Sequence, residues 1–242
     1  MKLLLTVAHP DDETFGCGSV IAHAATNGIE VVVACATRGE LGEMADPDAG
    51  NPAPARVGEI REAELRAAAT LLGAARVELL GWLDSGTTGD AAPGSLVAAD
   101  PLVVEQAIAE VIERERPDVV VTLDASDGHR DHAVVRDATL AAVKRVDAKP
   151  ARVYLFCLPR SLLADFAGVP GLGTPDDEIT TFVDVREHLD LRWRAIRTHA
   201  SQSPPYDAMP PELARAFLAT DRFLRVEPAW SGGDVERDWI PG

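Results

Sequence analysis

The chain has 242 residues, with 23 Lys+Arg against 39 Asp+Glu and a formal net charge of −16. Its 46% hydrophobic content excludes a disordered acidic chain and suffices for a sizeable core. The negative balance argues against nucleic acid or an anionic membrane surface as partner, since both select basic patches. In chain order, residues 2–8 (KLLLTVA) form a short apolar run expected as a buried strand, followed by a helix over 14–27 that Gly28 ends. A second β-branched run covers 30–36, and a polar, Gly/Pro-rich loop covers 37–57. Helical spacing and a terminal Gly73 predict a helix over 58–73, then a strand over 76–80 and a long loop over 81–100. A helix over 101–116 carries Pro101 in its first turn and Asp100 as cap. A fourth strand (118–123), a loop (124–131), a helix (132–146) and a fifth strand (152–157) follow.

Strands separated by helices imply right-handed crossovers, and near-continuous apolar strands imply burial on both faces. The fold expected is α/β, a Rossmann-like, mostly parallel sheet with helices on both faces. Beyond residue 158 the alternation weakens, to a strand over 180–185, helices over 186–198 and 211–219, and a strand over 223–226. Pro/Gly-rich stretches at 45–54, 159–176 and 203–211 read as long loops around one domain.

In an open parallel sheet, ligands bind beyond the carboxyl ends of the strands. The loop after the first strand reads AHPDDE (8–13) and the one after the fourth reads DASDGHRDH (124–132). Strands 1 and 4 are common neighbours where strand order reverses, so both loops are expected over one crevice. His9, Asp12 and His132 would supply two nitrogens and an oxygen to a catalytic zinc. Asp11 would then stand beside the ion as the base for a bound water. His129 would face the substrate, with Asp131 favouring its protonated form. The bland alternative stays open at this stage: Asp12 is equally placed to cap a helix from Thr14. Gly16–Cys17–Gly18 lacks the third glycine of a dinucleotide loop.

These two loops resemble the PIG-L/LmbE-like family of zinc-dependent N-acetylglucosamine deacetylases. The similarity continues through ATRGELGE (36–43), IREAEL (60–65), Leu72–Gly73, LDSG (83–86) and HASQ (199–202), about residues 1–202. The resemblance implies one deacetylase-like domain over 1–242, with a core of 1–202 and a C-terminal extension of 203–242. It implies His9, Asp12 and His132 as zinc ligands and Asp11 as general base. His129 would protonate the leaving amine or stabilise the oxyanion, with Asp131 tuning it. Arg61 and Asp84 would contact substrate. LDSG is similar to the branch acting on mycothiol precursors and conjugates. Members of that branch tend to carry Tyr two residues before the first histidine of the second motif, where this chain has Asp127.

The function expected is therefore metal-dependent removal of an N-acetyl group from a small-molecule N-acetylglucosaminyl conjugate. The alternatives are a zinc amidase for a larger acyl group, such as a mycothiol-type conjugate, and a non-catalytic sugar-binding protein of the same fold. Zinc is the implied cofactor, although two nitrogens and an oxygen also accept Fe²⁺ or Co²⁺. Cys17, Cys35 and Cys157 are odd in number and far apart, which suits a reducing compartment and a cytoplasmic location. No window has the length of a membrane span, and a homo-oligomer remains possible. His199 and Gln202 are expected near the pocket, Trp82 against a sugar face, His23 inside a helix and His188 at the surface.

Overall fold

The computed structural model describes residues 1–50, 52–166 and 171–239. Seven strands form one sheet: β1 (Lys2–Val7), β2 (Glu30–Thr37), β3 (Arg76–Trp82), β4 (Val119–Leu123), β5 (Arg152–Phe156), β6 (Thr181–Asp184) and β7 (Thr220–Glu227). Their spatial order is β3-β2-β1-β4-β5-β7-β6. The pairings among β1 to β5 are all parallel, and β7 runs antiparallel to both β5 and β6. The sheet is thus mixed, with its parallel part in the first five strands.

The helices are α1 (Asp12–Phe15), α2 (Gly18–Thr26), α3 (Pro54–Leu72), α4 (Pro101–Glu115), α5 (Arg130–Arg145), α6 (Arg160–Phe166), α7 (Leu189–Thr198) and α8 (Pro211–Leu218). Side chains alternate across each strand. Leu3, Leu5 and Val7 of β1, with Val31, Val33 and Cys35 of β2, enter the core under α2 and α3. Leu4, Val32 and Ala34 enter the opposite core with Ile108 and Ile112 of α4 and Val135 of α5. Strands buried on both faces have little room for polar residues, which explains their near-continuous apolar runs.

Gly73 ends α3 in the left-handed region, at φ 93°, and Asp100 accepts the Leu102 N–H at 2.9 Å to cap α4. The helix expected over 14–27 is instead two pieces, broken at Gly16–Cys17. A Cβ on Gly16 would meet the Asp12 carbonyl at 2.8 Å. The freed carbonyls of Phe15 and Gly16 accept from the buried Arg192 guanidinium at 2.5 and 2.8 Å. Arg192 also pairs with buried Asp221 at 2.6 Å.

Within the stretch expected as loop over 159–176, α6 forms, and 167–170 lie outside the described residues. His188, expected exposed, is buried. Trp82 packs against the second core, away from the cleft described below. In the C-terminal extension Trp239 is fully buried in the first core, and Glu236 bonds Thr180 and Thr181. Residues 240–242 lie outside the description.

Candidate active site

β1 and β4 are neighbours, in register from Leu3–Val119 to Thr6–Thr122. Sheet order reverses between them, and the loops that follow them meet over that point. Asp12 does not cap a helix with its side chain. Its Oδ2 turns back to accept the N–H groups of Ala8 at 3.1 Å and His9 at 2.8 Å. Its Oδ1 lies 3.3 Å from His132 Nε2, and Oδ2 lies 3.7 Å from His9 Nδ1.

Each of these imidazoles is held on its other nitrogen. His9 Nε2 lies 3.1 Å from Asp131 Oδ2 and 3.6 Å from Asp84 Oδ1. His132 Nδ1 lies 2.7 Å from Asp127 Oδ2. A histidine facing a shared carboxylate on one nitrogen and held by another carboxylate on the other is the usual setting of a metal ligand. The ring of His129 lies 4.7 Å from that of His9 and 4.8 Å from that of His132. One nitrogen from each of the three falls within 4.8 Å of the others, as do donors of His9, Asp84 and Asp131. The donor set therefore fits a divalent cation.

Burial opposes charge on His9, but Asp131, Asp84 and Asp12 raise it to about 9. His132 is buried too, and Asp12 with Asp127 pushes it up to about 11. Burial raises Asp12 less than His132 and His9 lower it, so it stays ionised. Burial alone would raise Asp84 and Asp131, but His9 and neighbouring backbone N–H groups hold both below the usual range.

Asp11 has φ 112°, a left-handed conformation that a non-glycine residue adopts only under constraint. The constraint is visible. Its N–H donates to Glu13 Oε2 at 2.9 Å, and its Oδ2 accepts from Arg61 Nη2 at 3.0 Å. Burial raises the Asp11 carboxyl to about 6 against the charge of Arg61. Arg61 is itself buried and also donates to the carbonyls of Pro10 and Gly39, at 2.5 and 2.7 Å. A Cβ at Gly39, whose φ is 65°, would strike that guanidinium.

The structure corrects two expectations. The Asp131 carboxylate turns inward to His9 and accepts the Ser85 N–H at 3.0 Å, and does not bond the His129 ring. Instead His129 Nδ1 accepts the Asp131 backbone N–H at 3.2 Å and caps α5. Burial and the neighbouring His9 and His132 lower the His129 pKa, so its ring is neutral. His199 does not line the cleft; it is buried against Glu13 at 2.8 Å, behind α1.

Asp84 makes a turn by accepting the Gly86 N–H at 2.7 Å, and its own N–H donates to buried Glu40 at 3.0 Å. Arg130 donates to the carbonyls of Ser85, Gly86, Thr88 and Gly89, tying the loop after β3 to the start of α5. Sequence reasoning missed Glu13 and Arg130, and made Glu40 a candidate substrate contact, whereas it lies buried and accepts the Asp84 N–H. Only the place of Arg130 inside the second motif marked it.

His9, Asp11, Asp12, Arg61, Asp84, His129 and His132 line a polar cleft of about 520 Å³. On the other side of Asp12 and His132 lies an apolar pocket of about 200 Å³, walled by Phe15, Phe156, Leu158, Leu162 and Leu163 among others.

A doubly wound sheet with imidazoles and carboxylates converging at its switch point defines an α/β protein with a candidate metal centre. Comparison with known proteins narrows the class. The family model described as PIG-L, GlcNAc-PI de-N-acetylase, matches residues 4–143, and the chain belongs to that family. A 1D-myo-inositol 2-acetamido-2-deoxy-alpha-D-glucopyranoside deacetylase of Actinosynnema mirum is 36% identical over 100% of this chain and 96% of its own. That of Acidothermus cellulolyticus is 31% identical over 100% of this chain and 94% of its own. The fold is shared with N,N'-diacetylchitobiose deacetylase of Pyrococcus horikoshii, at TM-score 0.69, 19% identity and 93% and 83% coverage of the two chains. It is also shared with the 4-carboxy-2-hydroxymuconate hydratase GalB of Pseudomonas putida, at TM-score 0.69, 24% identity and 96% and 99% coverage.

Proposed function

We propose that the protein is a zinc-dependent N-deacetylase acting on a small-molecule N-acetylglucosaminyl conjugate of the glucosaminyl-inositol type. The observation that carries this reading is the convergence of His9 and His132 on Asp12, with Asp131 and Asp127 on their outer nitrogens. His9, Asp12 and His132 would hold the ion. When bound, the ion supplies Lewis acidity toward an amide carbonyl and lowers the pKa of water.

The chain's own groups supply the rest. Asp11, at about 6, is ionised at neutral pH and basic enough to take a proton from attacking water. Arg61 fixes the carboxylate and keeps it from rotating away. His129 uses its Nδ1 lone pair on the helix cap, so a neutral ring carries its proton on Nε2, a donor for the developing oxyanion. The carboxylic acid formed at Asp11 then returns its proton to the departing amine nitrogen. Asp84, with the loop that Arg130 holds, forms the sugar-facing wall.

The names of the relatives support the substrate class, and three buried free cysteines support a reducing cytoplasm. No helix is long and apolar enough to cross a membrane among the described residues. The test is release of a primary amine from N-acetylglucosaminyl-inositol by zinc-loaded protein. Turnover lost on chelation and restored by zinc is expected; metal-loaded protein that binds the sugar without releasing amine would make it a binding protein.

The apolar pocket favours a second reading. It shares Asp12 and His132 with the cleft, so an acyl group longer than acetyl would have an apolar wall beyond the scissile bond. Its volume of about 200 Å³ has room for a short acyl chain. Faster turnover of an N-hexanoyl than of an N-acetyl conjugate would decide for an amidase of larger acyl groups.

A further inference from the structure

A second set of convergent donors lies outside the cleft. His23, on α2, is largely buried, and its Nε2 lies 3.0 Å from Asp238 Oδ2. Its Nδ1 is buried with no hydrogen-bond partner. His188, in the turn before α7, is 7% exposed, and its Nε2 is likewise buried without a hydrogen-bond partner. Both nitrogens face Glu187 Oε1, at 3.9 Å from His23 and 3.3 Å from His188, in geometry that makes no hydrogen bond. The three donor atoms lie within 4.8 Å of one another. The two rings meet edge to face, centroids 5.7 Å apart, so they do not stack.

Two buried imidazole nitrogens left without partners cost free energy that a folded chain normally avoids. A cation between them and the carboxylate removes that cost. Tetrahedral ligands at zinc bond lengths lie about 3.3 Å apart, close to the separations seen. Asp238 on the outer nitrogen of His23 fixes the tautomer that turns the Nδ1 lone pair inward.

We infer that His23, Glu187 and His188 form a second metal site, for zinc or another late first-row divalent ion, that is structural in role. Water would complete the coordination. The ion would tie α2 to the turn before α7, and through Asp238 to the segment that carries Trp239 into the core. None of its three ligands lines the cleft, so it stabilises the fold and leaves turnover alone. The inference stands apart from the proposed enzyme activity.

The test titrates the chelated full-length protein with Zn²⁺ and counts bound ions. Wild type is expected to take two equivalents, and His9→Ala/His132→Ala to keep one. His188→Gln should also keep one, with unchanged turnover and a lower Tm in zinc. Glu187 is exposed, so Glu187→Gln spares the fold and should weaken this site about tenfold or more. A single equivalent that disappears in His188→Gln supports the site even where the cleft takes no ion. If His9→Ala/His132→Ala, or Asp12→Asn where that pair fails to fold, keeps one ion that adding His188→Gln removes, the assignment holds; if either folded cleft variant binds none, it is overturned.

Discussion

Asp127 holds the outer nitrogen of His132, with Oδ2 at 2.7 Å from Nδ1. This is the position where the mycothiol-type branch tends to carry Tyr, so a residue that departs from that pattern orients a proposed ligand instead. His132 raises no barrier to this role, since its charge and hydrogen bond hold Asp127 below the usual carboxylate range against burial.

Asp127→Asn is therefore expected to weaken zinc binding by about 10- to 100-fold, the usual effect of removing such a carboxylate. Competition against a chelator of known affinity measures it. An unchanged affinity removes Asp127 from the centre.

Asp11→Asn should abolish most turnover, about a 100- to 10,000-fold loss, because the proton acceptor is gone. Asn tolerates the left-handed backbone at this position, so the loop should keep its shape. Metal content measured on the purified variant should match wild type. Joint loss of ion and activity would make Asp11 a ligand and not a base.

The ion-free centre keeps His9 at about 9 and His132 at about 11, so both carry protons at neutral pH. A bound ion needs their lone pairs, and about two protons should leave per ion near pH 7. Affinity should rise with pH. In the ion-free protein the sign is opposite: the stability contributed by the raised His9 is complete below its ordinary 6.5 and lost as pH rises through about 9. Calorimetry in buffers of different ionisation enthalpy counts the protons. A heat independent of buffer contradicts the arrangement.

Arg192→Leu should cost about 3–5 kcal/mol, because it leaves Asp221 buried and unpaired. It also strips a donor from the carbonyls of Phe15 and Gly16 behind the loop that carries Asp11 and Asp12. Urea denaturation reads the loss. Adding Asp221→Leu should recover a large part of it, since a buried pair replaced by apolar groups is often neutral. A single variant as stable as wild type would show the pair to be dispensable.

Much of the site was legible because chemistry-bearing loops follow strands. AHPDDE and GHRDH follow parallel strands and so lie at one end of the sheet, and the adjacency of β1 and β4 is the common strand order of such a sheet. Side-chain direction was not legible. Spacing places Asp131 beside His129, yet burial at the start of α5 turns its carboxylate to His9, far off in sequence. Glu13 and His199 are likewise partners across most of the chain, and no local pattern joins them. The sheet beyond β5 was obscured for another reason. β6 is only four residues long, and β7, although eight residues, is half-buried with Asp221, Arg222 and Arg225 interrupting its apolar run, so no continuous apolar run sets their direction, and the antiparallel insertion of β7 depends on contacts with β5.

That insertion has a consequence for how the molecule comes into being. The ribosome delivers β6 before β7, but in space β6 pairs with the sheet through β7, with Glu236 along its other edge. During synthesis β6 has no strand to pair with until the later strand emerges, whereas β1 to β5 can already assemble in the order they are made and α7 can dock on α2 and α3. Biogenesis is therefore expected to be staged, with a parallel platform carrying the His9–Asp12 loop first and its far edge closing last.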